Sequence, residues 1–138
     1  MSGDFSTGLR ISASGLAAQR LRMNTISSNI ANINTTRNEF GEKIPYQRRF
    51  AVFAPGRADD TSKPGVHVRE IVRDPSPFQR RFEPGSPDAG PDGYVLTPNI
   101  DLTTEYVNAL EASRAYEANI TMMDVTKSML NSTMRLIA

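Results

Sequence analysis

At 138 residues the chain has the length of one domain. Its 16 Lys and Arg against 15 Asp and Glu leave a formal net charge of +1, too little to steer it toward nucleic acid or anionic lipid. With no cysteine and a single histidine, His67, it has no disulfides, thiol nucleophiles or thiolate metal sites, and no centre built on two imidazoles.

Near the N-terminus, Leu9, Leu16, Met23 and Ile30 are spaced by seven, and Ile26 and Ile33 follow the last two at three residues. An a/d stripe of this kind calls for a partner helix. It predicts one helix from about Thr7 to Asn34, roughly 40 Å long at 1.5 Å per residue. Asn32 and Asn34 are its stop signal, because Asn tolerates the left-handed turn that ends helices. Asn24, Thr25, Ser27, Ser28 and Asn29 have weak helix propensity. Six covered stripe residues contribute about 9–18 kcal/mol, whereas ordering some 28 residues costs roughly 1–2 kcal/mol each. This helix is therefore expected to form only when something covers it. No apolar run reaches the ~18 residues of a spanning helix, so no direct membrane insertion is expected. The N-terminus also lacks the apolar region of a secretory signal, so the general secretory route is not expected. The acid-free stretch from Phe5 to Asn38, with Arg10, Arg20, Arg22 and Arg37, also fits an organellar transit peptide. That reading leaves the far end of the chain unexplained.

The middle, from about Thr35 to Thr97, holds eight of the nine prolines. Candidate strands are Tyr46–Phe53, Val66–Val72 and a short piece at Tyr94–Leu96. Pro55-Gly56, Pro64-Gly65, Pro84-Gly85 and Asp92-Gly93 mark turns between them. A small β module with long loops fits. Within it, Pro45-Tyr46-Gln47-Arg48-Arg49-Phe50 is echoed by Pro77-Phe78-Gln79-Arg80-Arg81-Phe82. Two aromatic-Arg-Arg-aromatic strips could stack on single-stranded nucleic acid. Two similar strand ends with solvated arginines is the simpler reading, so no nucleic acid partner is expected. Asp59-Asp60 reads as a solvated loop tip, and His67 as a surface or packing residue.

Toward the C-terminus, Leu102, Ala109, Tyr116, Met123, Leu130 and Ile137 are spaced by seven. Tyr106, Ser113, Ile120, Lys127 and Met134 form the interleaved row. Asp101 is a good N-cap and Glu105 suits the first turn, so a helix of about 55 Å is predicted from there to the end. Met122, Met129 and Leu136 make a further row. A helix with several rows is buried on more than one side. One antiparallel partner from the same chain would cover one side, and the other needs a different molecule. The alternative is a wide stripe inside a single small bundle. The methionines are adaptable packing for such a seam. No phosphate loop, zinc-ligand set or nucleophile elbow is present, so neither a cofactor nor a catalytic residue is assigned.

Ser14-Gly15-Leu16-Ala17-Ala18-Gln19, Arg22-Met23 and Ser28-Asn29-Ile30-Ala31-Asn32 resemble the N-terminal signature of bacterial flagellar rod and hook axial proteins. Gly93-Tyr94-Val95, Pro98-Asn99-Ile100-Asp101 and Ser113-Arg114-Ala115-Tyr116-Glu117-Ala118-Asn119 resemble their C-terminal signature. The short length and Glu83-Pro84-Gly85…Pro87-Asp88 are similar to the proximal-rod members in particular. The resemblance implies export by the flagellar type III apparatus and polymerisation into a hollow rod that carries torque across the periplasm. It also implies partners: copies of itself, other rod proteins and the membrane ring. One departure is that the turn many axial proteins carry after the first helix is replaced by Thr35-Thr36-Arg37-Asn38-Glu39, which leaves the path of residues 35–50 open.

The expected fold is mainly α with a small β insert, its long terminal helices pairing as a coiled-coil-like hairpin. Residues 1–36 and 99–138 form the two parts of a core and 37–98 the turn-rich insert. The expected function is a structural subunit of the proximal rod, not an enzyme, that assembles through its terminal helices. The alternatives are a freestanding helical-hairpin binding module and an enzyme using Arg and carboxylate groups of the middle.

Overall fold

A computed structural model describes residues 2–137. In chain order it contains α1 (Ser2–Ala31), β1 (Arg49–Pro55), β2 (Val66–Arg73), β3 (Gln79–Phe82), β4 (Tyr94–Thr97) and α2 (Leu102–Ile137). Among the described residues, no helix is long and apolar enough to cross a membrane.

α1 starts and stops a few residues before the predicted Thr7–Asn34 span. Its hydroxyls are accommodated by bonding back to the preceding turn: Thr7 to the Gly3 carbonyl and Thr25 to the Leu21 carbonyl. At its end the Asn32 side chain donates to the Ser28 carbonyl at 2.8 Å. The helix ends without the left-handed residue expected there, and no non-glycine described residue has positive φ. α2 begins as predicted. The Asp101 carboxylate accepts from the Thr103 N–H and the Thr104 hydroxyl, satisfying first-turn donors that no helical carbonyl can reach.

The helices pair antiparallel. Opposite one another stand Gly8 and Thr126, Gly15 and Asn119, and Asn29 and Glu105. The centre of the seam is thus a row of small and polar residues at heptad spacing, not the large apolar stripe. A Cβ on Gly15 would lie 2.9 Å from the Asn119 side-chain amide, so a larger residue there would have to push aside an amide that is bonded to the Ala115 carbonyl. The buried apolar core is small: Ala18, Ile26, Val95, Ile100 and Ala112.

The middle forms two separate antiparallel ribbons, β1 with β2 and β3 with β4. The second copy of the near-repeat is itself a strand, β3, which the hydrophobic pattern did not mark. The first copy lies mostly ahead of β1, because Tyr46 and Arg48 spend their backbone N–H groups on the Thr35 carbonyl and the Asn99 side chain. β2 carries a bulge at Arg69, where Val52 pairs with Glu70 and Phe53 with Val68. Gly93 adopts φ +80°, and a Cβ there would meet the Phe82 ring at 2.9 Å. The turn into β4 therefore requires glycine.

Candidate assembly surface and the polar knot that orients it

The end of α1, the start of α2 and the strand leading into β1 meet at a buried polar knot. Asn29 and Glu105 are both fully buried. Asn29 donates through Nδ2 to the Arg49 carbonyl at 2.7 Å and to Glu105 Oε2 at 3.3 Å. Its Oδ1 accepts from the Arg49 N–H at 3.0 Å and the Tyr46 hydroxyl at 3.2 Å. The amide thus uses its full set of donors and acceptors on two segments of chain, residues 46–49 and the start of α2.

Glu105 is held on its other oxygen by Arg48 Nε, and Arg48 Nη1 reaches Asp74 at 3.2 Å. Asn99 completes the knot. Its Oδ1 accepts from the Arg48 N–H at 2.8 Å, while its Nδ2 donates to the carbonyls of Asp74 and Ser76. Burial alone would lower the Arg48 pKa, but the bonds and charges of Glu105 and Asp74 outweigh it and the pKa is raised. Hydrogen bonds from Ser76, then the Arg48 charge, hold Asp74 below the ordinary carboxylate range. Burial raises the Tyr46 pKa, partly offset by Arg49 and reinforced by Glu105. A charge pair this well bonded resists loss of either partner, because the remaining charge would be stranded away from water.

A second cluster fixes residues 35–48. Asp88 accepts from the Thr36 hydroxyl at 2.6 Å and from Arg37 at 2.5 Å. Those bonds, Thr36 first, lower its pKa. Asn38 closes a tight turn by accepting from the N–H groups of Phe40 and Glu42. The path that the sequence left open is therefore anchored at Asp88, at Asn38 and, through Tyr46, at Thr35.

The family-signature residues fall into distinct places. Asn29, Asn99 and the fully buried Pro98 belong to the knot and its edge. The exposed Ser28 and Ala31 lie in the last turn of α1, where Asn32 bonds back to the Ser28 carbonyl, Asp101 caps α2, and Gly93 sets the turn into β4. The Tyr94 ring packs on Phe82 at 5.2 Å between centroids. Asn119 bonds the Ala115 carbonyl and covers Gly15, Tyr116 is half-buried, and Arg114 is exposed.

The predicted seam residues are not drawn together in the centre of the helix pair. On α1, Ile26 is buried, and Leu9, Leu16, Met23 and Ile30 are half-buried on the flank; Ile33 lies just past the helix end, also half-buried. On α2, Tyr116, Met123 and Leu130 are half-buried, while Leu102, Tyr106, Ile120, Met134 and Ile137 are exposed, Tyr106 and Met134 to about 60%. Val107, Leu110, Met122, Val125, Met129 and Leu136 leave another side of α2 uncovered. Such a length of apolar helix surface is the mark of an interaction site.

The near-repeat arginines have partners: Arg48 in the knot, Arg49 over the Tyr46 ring, Arg80 on Asp92 and the Tyr94 ring, and Arg81 on Glu83. They are strand anchors rather than a free cationic strip. His67 Nδ1 lies 2.9 Å from the Gly56 carbonyl and braces the β1–β2 turn. Of the knot, the sequence marks Glu105 only as a first-turn acid and Arg48 only as part of the near-repeat, and Asp74 not at all. The available signal for Glu105 was its place as the one charge in the heptad row with Ala112, Asn119 and Thr126.

Long terminal helices tied by a polar knot, with apolar rows on their outer sides, define a structural subunit. Comparison with known proteins narrows the class. Residues 9–37 match the family described as flagella basal body rod protein, and residues 92–136 match the flagellar basal body rod FlgEFG protein C-terminal family. The flagellar basal-body rod protein FlgC of Bacillus subtilis is 40% identical over 137 residues, covering 88% of this chain and 91% of its own. Those of Yersinia enterocolitica and Borreliella burgdorferi are 39% and 38% identical, covering 91% and 98% of this chain and 92% and 98% of their own. The chain belongs to the FlgC family of flagellar basal-body rod proteins. It is a structural component of the rod, not an enzyme, and it assembles in the flagellar basal body with other rod components.

Proposed function

We propose that the paired terminal helices are the elements through which the subunit polymerises into the hollow proximal rod. The rows Leu9, Leu16, Met23, Ile26, Ile30 and Ile33 of the first segment, and Leu102, Tyr106, Tyr116, Ile120, Met123, Leu130, Met134 and Ile137 of the second, are the seams. Residues 1–36 and 99–138 act as one core unit and 37–98 as the insert held to it by the knot. The observation that carries this reading is the imbalance on α2. Two residues of the helix, Glu105 and Ala112, are buried, while large apolar side chains line much of its outside. At about 25 cal/mol per Å², covering that surface with neighbouring helices supplies the driving force that a lone copy lacks.

In this reading the helices are weakly held before assembly, which suits passage through the flagellar type III export apparatus. They stiffen as neighbours, other rod subunits and the membrane ring, cover them in the periplasm. Many small contacts must then shear together when torque is applied. Circular dichroism of the dilute chain tests the proposal. Helix content that is low when dilute and rises as copies associate is the expected result. Full helix content independent of concentration, with a rigid monomer on gel filtration, would favour a freestanding helical hairpin.

A further inference from the structure

We infer that the Asn29–Glu105–Arg48 knot selects the register of the helix pair, rejecting a slip of one heptad that the rest of the seam would accept. The seam repeats. On α1 its centre is Gly8, Gly15, Arg22 and Asn29, and on α2 it is Glu105, Ala112, Asn119 and Thr126, each row spaced by seven. In the observed register Gly8 lies by Thr126, Gly15 by Asn119, and Asn29 by Glu105. A slip of seven residues, about 10 Å, would set Asn119 over Gly8 and Ala112 over Gly15. Both are small-residue contacts of the kind already present.

The same slip would bring Glu105 opposite Arg22. Among the described residues the ion-pair partner of Arg22 is the exposed Glu111, at 3.3 Å, and a surface pair of that sort holds a side chain weakly. A cation is thus waiting for Glu105 one heptad away. Small residues alone distinguish poorly between the two registers, as in any coiled coil whose register is fixed by a single buried polar contact. The discrimination falls to the knot. In the observed register Glu105 meets Arg48 and Asn29, and Asn29 in turn holds both polar groups of the Arg49 backbone. A slipped α2 would leave Arg48 and Asn29 without these partners. The inference concerns the single chain and does not depend on how copies assemble.

The absence of cysteine makes register readable by disulfide trapping in the full chain. Gly8→Cys with Thr126→Cys reports the observed register, since a Cβ on Gly8 lies 3.9 Å from Thr126 Cγ2. Gly8→Cys with Asn119→Cys reports the slipped one and is otherwise out of disulfide reach. Trapping under mild oxidation at low protein concentration accumulates even transient pairings, and intramolecular products are separated by mobility. With Arg48 intact, the 8–126 bond should dominate. Arg48→Met strands Glu105 and should raise the ratio of 8–119 to 8–126 product by about tenfold or more. Arg48→Lys, which keeps the charge, should retain the 8–126 bond. Arg48→Met with Glu105→Leu, which removes the pull toward Arg22, should return the ratio toward its starting value. The inference is overturned if Arg48→Met leaves the ratio unchanged, or if it abolishes both bonds together. Either result would show that the knot holds the fold without choosing the register.

Discussion

Asn29 and Asn99, on opposite sides of the β insert in sequence, accept the backbone N–H groups of two successive residues, Arg49 and Arg48. The two asparagines grip one short stretch of extended chain from both terminal segments. Between them Arg48 turns its guanidinium to Glu105 and Asp74. The orientation of the insert relative to the helices is therefore set by side-chain amides. Such bonds are directional, so a rod subunit built this way presents its insert at a defined angle.

Glu105→Ala should cost about 3–5 kcal/mol, the usual penalty for stranding one partner of a buried ion pair. Glu105→Gln should cost less, because an amide still accepts from Arg48. Urea unfolding followed by tyrosine fluorescence, at a protein concentration where circular dichroism shows the helices formed, measures both. A Glu105→Gln chain as stable as the parent would mean that the charge contributes nothing, and equal losses would mean that the uncharged hydrogen bond contributes nothing.

Acid should loosen the insert before it reaches the helices. The pKa values of Asp74 and Asp88 are lowered in the folded chain, by Ser76 and Arg48 and by Thr36 and Arg37 respectively. Their contribution is therefore complete above the ordinary carboxylate value of about 3.9. It is lost as pH falls through the depressed folded values, since the unfolded chain binds those protons first. Stability should be flat from neutral pH to about 5 and fall below 4. Asp74→Asn and Asp88→Asn should each flatten that fall, read as the urea midpoint against pH. An unchanged profile in both would remove these aspartates from the acid response.

The seven-residue apolar stripes foretold two long helices and, through Asp101, the start of the second. They did not foretell which residues the helices use to touch each other. Pattern reading ranks positions by hydrophobicity, whereas this contact is made by Gly15, Asn119 and Ala112, chosen for size. Glu105 reads in sequence only as a first-turn acid, for a related reason. A carboxylate near a helix N-terminus is explained by the dipole alone, and only the fold brings Arg48 to it. β3 was missed because Gln79–Phe82 is exposed along its length, so it carries no alternation to read. The near-repeat did carry a signal: both glutamines donate to backbone carbonyls, Gln47 to Asp74 and Gln79 to Ile100.

Gly15→Val should crowd the Asn119 side chain across the helix pair. The first added carbon already falls 2.9 Å from Asn119 Nδ2, and overpacking of this kind costs about 1–3 kcal/mol. Asn119→Ala opens space at the same point, so the double substitution should recover part of the loss. Simple additivity in a double-mutant cycle would argue that the two residues do not meet.

Met134→Asp and Ile120→Asp separate folding from assembly. Both side chains are exposed in the single chain, at 60% and 40%, so each change should move the unfolding free energy by no more than about 0.5 kcal/mol. In a polymerised rod the same positions would lie against a neighbour, where an unpaired carboxylate is strongly disfavoured. Cells carrying either variant should make stable protein but swim poorly or not at all, and purified basal bodies should lack rod beyond this subunit. Ile30→Asp, on the half-buried flank of α1, should impair both folding and motility. Normal swimming with Met134→Asp and Ile120→Asp together would mean that this side of α2 faces solvent in the rod. The seam would then have to be sought on the opposite side, along Val107, Met122, Val125 and Met129.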